Sequence, residues 1–123
     1  MHHILVIDDV EDVRLTIREM LERAGHRVSE AANGKEALLK IDEQLPDLVI
    51  TDIFMPEMEG LEFIRIIKKK QKTLPIVALS GSTQSEYLQY ALKFGANYGL
   101  YKPFSQDELL IAVDIALKKC PVE

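Results

Sequence analysis

Short apolar runs and longer amphipathic stretches alternate along the chain. The apolar runs are His3–Ile7, Arg27–Ala31, Asp47–Thr51, Pro75–Ser80 and Tyr98–Tyr101. Their length and β-branched content suit buried strands. The stretches between them carry apolar residues at helical spacing. Val13, Ile17, Met20, Leu21 and Ala24 form the first stripe, with Arg14, Arg18, Glu19, Glu22 and Arg23 mostly off it. Ala37, Leu38, Ile41 and Leu45 form the second, and Phe63, Ile64 and Ile67 the third. Leu88, Ala91 and Leu92 form the fourth, and Leu109, Ala112, Val113, Ala116 and Leu117 the fifth.

Boundary residues support the same division. Thr83 with Glu86, and Ser105 with Glu108, have the spacing of a capping box at a helix start. Gly25 and Gly95 follow the first and fourth stripes, where a left-handed helix cap favours glycine. Pro46 and Pro75 stand between a helix and the next strand. Lys68-Lys69-Lys70 reads as a solvated helix end, matched in charge to the helix dipole. The pattern predicts an α/β domain, (βα)5, with a doubly wound parallel sheet covered on both faces. In such a sheet, ligands gather at the carboxyl ends of the strands, near the reversal in strand order.

Composition narrows the function classes. The chain has 123 residues, 47% hydrophobic and 28% charged, which is enough for one core. Residues 1–123 are therefore read as a single domain. A formal net charge of -5 argues against direct nucleic-acid binding. The single cysteine, Cys120, cannot close an internal disulfide and fits a reducing, cytoplasmic setting. No apolar run approaches the ~20 residues of a membrane helix, and no signal peptide is expected.

The strand ends carry the chemistry. The first strand ends in Asp8-Asp9, the third in Thr51-Asp52, the fourth in Ser80 and the fifth in Lys102-Pro103. Three gathered carboxylates repel, and at least one is pushed towards protonation unless a cation offsets them. Mg2+ prefers oxygen ligands and commonly shares them with a phosphoryl group. Lys102 adds a point charge for a phosphate oxygen, and Ser80 a hydroxyl donor. One carboxylate can then act as nucleophile and form an acyl phosphate. Taken singly, Asp8 or Asp9 would also serve as a helix cap and Asp52 as a turn cap. Ser80 alone would be a turn residue, Lys102 a surface lysine, and Phe54 and Met55 packing residues.

The runs Ile4-Leu5-Val6-Ile7-Asp8-Asp9, Thr51-Asp52-Ile53-Phe54-Met55-Pro56 with Gly60, Leu79-Ser80-Gly81, and Tyr101-Lys102-Pro103-Phe104 together resemble the receiver domain of two-component response regulators. The resemblance covers essentially the whole chain. It implies a flavodoxin-like frame with strand order 2-1-3-4-5. It implies that Asp52 accepts phosphate from a histidine kinase or histidine phosphotransfer protein. Asp9, Asp52 and the Ile53 carbonyl would hold Mg2+ directly, and Asp8 mainly through water. Ser80 and Lys102 would contact the phosphoryl oxygens, with a cis bond between Lys102 and Pro103. A downstream output partner or output domain is implied. So is a phosphorylation-dependent homodimer through the fourth helix, fifth strand and fifth helix, a region enriched in Tyr87, Tyr90, Tyr98 and Tyr101. Two arrangements fit: a stand-alone receiver, or one module of a larger regulator or hybrid kinase.

Two positions depart from the family pattern. Receivers usually carry Tyr or Phe three residues before the fifth-strand lysine, and here that residue is Gly99. Tyr98 and Tyr101 are both expected to face away from position 99, leaving room for a partner side chain to insert there. Phe54, two residues after Asp52, is expected to hinder attacking water and slow self-dephosphorylation. Phe54 also weighs against an aspartate-nucleophile phosphohydrolase, which needs an acid at that place. The chain is thus expected not to be a turnover enzyme. A flavin or nucleotide binder lacks its glycine loop here. A pseudo-receiver docking module sits poorly with the intact acidic set.

Overall fold

A computed structural model describes residues 1–54, 60–81 and 85–118. The elements run β1 (His3–Ile7), α1 (Glu11–Arg23), β2 (Arg27–Ala31), α2 (Gly34–Glu43) and β3 (Leu48–Asp52). They continue α3 (Gly60–Lys70), β4 (Ile76–Gly81), α4 (Ser85–Phe94), β5 (Tyr98–Lys102) and α5 (Gln106–Lys118). The five strands form one parallel sheet in the order β2-β1-β3-β4-β5, as the resemblance implied.

Every residue of β1 and β3 is buried, because helices cover both faces and leave no polar side. Successive strand residues therefore feed two separate cores. Leu5, Ile7, Val49, Ile76 and Ala78 pack with α2, α3 and α4 around Phe63. Ile4, Val6, Leu48, Ile50, Val77 and Leu79 pack with α1 and α5 around Ile17, Leu21 and Val113. The helical stripes supply the other half of each core, with three exceptions, the first being Ala24, exposed at the C-cap of α1. Leu45 falls beyond the end of α2 and is exposed, and Leu92 is exposed on α4.

Helix ends are secured locally. Ser105 and Glu108 form the expected reciprocal pair, at 2.8 and 3.1 Å, a cap worth ~1 kcal/mol. Thr83, its counterpart before α4, lies outside the described residues, as do Met55, Pro56 and Cys120. A further cap escaped the sequence reading: Asn33 Oδ1 accepts from the Glu36 amide at 2.9 Å, opening α2. Gly25 and Gly95 take left-handed φ values of 93° and 124°.

Three sequence expectations need correction. β3 and β4 each run one residue later than their apolar runs, and β5 extends to Lys102, so Asp52 and Lys102 lie within strands. Lys68 is not a solvated helix end. Its stem packs beneath Gly95, and its ammonium donates to the Leu74 carbonyl at 2.7 Å. Only Lys69 and Lys70 of that run are exposed.

Candidate functional site

Register assembles the site. Ile7 pairs with Thr51, and Asp52 with Leu79, so Asp8 follows β1 beside the end of β3 and Ser80 follows on β4. β1 lies between β2 and β3, where the strand order reverses. Asp8, Asp9 and Asp52 each place a carboxylate oxygen within 4.8 Å of the others. Asp8 is fully buried, Asp52 is 7% exposed and Asp9 is open to solvent.

Lys102 reaches this group from β5. Its Nζ lies 3.0 Å from Asp8 Oδ2 and 3.4 Å from Asp52 Oδ2. Burial pushes the Asp52 carboxyl above its usual range, the Lys102 charge opposes that, and the Asp8 charge adds to it. Burial works against the Lys102 ammonium, but Asp52 and Asp8 together hold it above the ordinary lysine value. The two directions are consistent. Lys102 gains two anions, whereas Asp52 gains one cation and suffers both burial and a second carboxylate.

Helix α1 opens at Val10 with no side-chain cap, so the helix-cap role weighed for Asp8 or Asp9 is not taken, whereas Asp52 does take the turn-capping role weighed for it. Asp8 Oδ1 accepts from the Val10 amide at 2.9 Å, and Asp52 Oδ1 from the Phe54 amide at 3.3 Å. These bonds orient the carboxylates. Arg14 was not foreseen as part of the site. Its guanidinium donates to the Asp8 carbonyl at 2.7 Å and to Glu30 at 3.0 Å, fixing the loop after β1. Ser80 is fully buried and its hydroxyl donates to the Gly81 carbonyl at 3.1 Å. The Ile53 amide donates to Leu79, at 3.1 Å. Gly60 shows why its position admits no side chain. A Cβ there would overlap the Asp52 carbonyl oxygen and lie 2.5 Å from Ile53 Cα. The Lys102-Pro103 bond is cis.

The model of the response regulator receiver domain matches residues 4–114. The chain belongs to the response regulator receiver domain family. This receiver is 43% identical over 109 residues to an uncharacterized 14.6 kDa protein of Leptolyngbya boryana, covering 87% of this chain and 83% of that one. It is 31% identical over 119 residues to the response regulator SaeR of Staphylococcus aureus, covering 97% of this chain and 52% of SaeR. It thus spans about half the length of SaeR. The crystal structure of the receiver domain of NtrX from Brucella abortus superposes with a TM-score of 0.91 at 34% identity, covering 94% of this chain and 98% of that one.

The receiver's departures from the family pattern take a definite form. Gly99 leaves no vacancy for a partner. A Cβ at that position would lie 2.7 Å from Leu88 Cγ, 2.8 Å from Cδ2 and 2.9 Å from Cδ1, so the receiver's own α4 fills the space. The expected facing of Tyr101 also fails. A pleat of period two puts residues 99 and 101 on one face, and only Tyr98 and Leu100 join the α1/α5 core. Phe54 packs against the other core and meets Tyr87 edge-on, with ring centroids 4.6 Å apart. Among the described residues no helix is long and apolar enough to cross a membrane.

Proposed function

We propose that this receiver is a phosphorylation-dependent signalling switch with Asp52 as the phosphoacceptor. The carrying observation is the meeting of three carboxylates within 4.8 Å with one ammonium at 3.0 and 3.4 Å. A carboxylate oxygen of Asp52 attacks the phosphorus of a phosphohistidine on a histidine kinase or histidine phosphotransfer protein. The P–N bond breaks, the imidazole keeps the electron pair and takes up a proton, and an acyl phosphate forms on Asp52.

The donor set fits a hard divalent cation: oxygen atoms only, clustered, with a buried carboxyl already driven towards protonation. Asp9, Asp52 and the Ile53 carbonyl would hold Mg2+ directly and Asp8 through water, and the ion would supply charge neutralisation for the transferring phosphoryl group. Lys102 turns from its two carboxylates towards the phosphoryl oxygens. The Ser80 hydroxyl leaves the Gly81 carbonyl to donate to the same group. Phe54 brings no acid or base beside Asp52, so the acyl phosphate is long-lived and the chemistry stays self-directed rather than turning over a substrate. The switch acts because the phosphorylated protein favours a second conformation. An output partner or output domain reads that conformation, either directly or through a homodimer across α4, β5 and α5. A cytoplasmic location and no direct contact with nucleic acid belong to the same reading.

Intact-mass measurement after incubation with Mg2+ and acetyl phosphate tests this. One added phosphoryl group, absent in Asp52→Asn and in chelator, is expected. An unchanged mass in the metal-loaded wild type would refute it. Phe54→Asn is expected to lose the group faster, and an equal rate would remove Phe54 from the account.

A further inference from the structure

The path from Asp52 to the protein surface does not need a side chain on β5. Leu88 occupies the space beside Gly99, so α4 rests directly on the β5 backbone and residue 99 has nothing to rotate. A different connection is in place. The Phe54 amide donates to Asp52 Oδ1 at 3.3 Å, and the Phe54 ring stands edge-on to Tyr87, at 82° and 4.6 Å. Tyr87 in turn meets Tyr90 at 6.2 Å and 64°. Tyr87 and Tyr90 are 37% and 48% exposed, so the series begins at the carboxylate and ends in solvent. Tyr87, Tyr90 and Phe94 share one flank of α4 at i, i+3 and i+7. Arg65 of α3 lies over the Phe94 ring at 5.3 Å, which identifies that flank as the one turned to α3.

We propose that the Phe54–Tyr87–Tyr90 series transmits the phosphorylation state of Asp52 to the α3-facing flank of α4. This rests on Asp52 being the phosphoacceptor. While Asp52 is ionised, its Oδ1 is a charged acceptor for the Phe54 amide. Forming an acyl phosphate bonds phosphorus to one carboxyl oxygen, and the negative charge then resides on the phosphoryl group. The carboxyl is left a neutral and weaker acceptor, whichever oxygen is taken. The restraint on Phe54 loosens, its ring changes position against Tyr87, and Tyr87 passes the change to Tyr90.

The chain has four tyrosines and no tryptophan, so ring-labelled tyrosine gives a compact NMR readout. Spectra of the full chain with Mg2+, before and after acetyl phosphate, are recorded beside intact mass. Phosphoryl uptake is expected to shift the Tyr87 and Tyr90 ring signals more than those of Tyr98 and Tyr101. In Tyr87→Leu, uptake is expected to persist while the Tyr90 response is lost. In Tyr87→Phe, which keeps the ring, the Tyr90 response is expected to return. Uptake with no Tyr90 response in the wild type, or an undiminished response in Tyr87→Leu, would overturn the proposal. A wild-type chain that takes up no phosphoryl group would instead remove the phosphoacceptor assignment and this proposal with it, and the mass alone separates the two cases.

Discussion

The contact between Gly99 and Leu88 sets up a quantitative test. Carbon atoms pack best at about 3.5–4.0 Å, whereas a Cβ at residue 99 would lie 2.7–2.9 Å from three atoms of Leu88. Leu88 is 4% exposed and cannot simply swing into solvent. Gly99→Ala therefore forces α4 or the Leu88 rotamer aside, and overpacking of this kind costs ~1–3 kcal/mol. Leu88→Ala alone removes a buried side chain and should cost ~2–5 kcal/mol. In the Leu88→Ala background the clash is gone. Residue 99 lies outside the positive-φ glycines, so alanine there should stabilise by ~0.5–1 kcal/mol through reduced freedom of the unfolded chain. The same substitution thus changes sign between backgrounds, with a coupling of ~1.5–4 kcal/mol. Urea denaturation of the four proteins, followed by far-ultraviolet circular dichroism, measures it. A neutral Gly99→Ala in the wild type, or additive effects in the double variant, would refute the packing argument.

Gly60→Ala should be more damaging than an ordinary surface change, by ~3 kcal/mol, because its Cβ meets backbone that cannot rotate away; a urea midpoint unchanged from wild type would contradict it. Asp52 carries a folded-state pKa raised by burial, so its contribution to stability is fully present below the unfolded value and lost as pH rises through the folded one. Asp52→Asn should therefore melt higher than wild type at neutral pH without metal, and equal melting temperatures would argue against it. Burial, with the Arg27 charge, lowers the pKa of His3; burial, with His2, lowers that of His26. Below the ordinary value of 6.5 the unfolded chain takes up protons that these folded histidines resist. The melting temperature should decline as pH falls from there through the folded values, and a His3→Gln, His26→Gln double variant should show a shallower decline.

The sheet and its helices were legible because period-two and helical patterns are strong where both faces are covered. β1 is apolar over its whole length apart from His3, and its helical neighbours carry clean stripes. The acidic set was legible for a related reason: polar residues at the ends of buried strands have few structural uses, so Asp8, Asp9, Asp52 and Lys102 stood out. What could not be read was anything set by contacts between distant elements. Leu88 looks like any helix core residue, and nothing local says that it reaches position 99. Arg14 looks like part of a solvated helix face, yet it braces the Asp8 carbonyl. Lys68 shares a basic run with two exposed lysines, and only the close approach of Gly95 turns its stem inward. Tyr101 differs from these, since strand alternation alone places it on the same face as residue 99.

Lys102 has a further consequence. At rest it is not a waiting cation. It is shared between Asp8 and Asp52, so its charge is already engaged while the three-carboxylate pocket stays net negative. A stray inorganic anion arriving from solution meets two resident carboxylates already holding the ammonium, and gains little by entering. On the proposed reading, a phosphoryl group bonded covalently to Asp52 removes one of the two carboxylate charges that hold the ammonium, which a passing anion does not do.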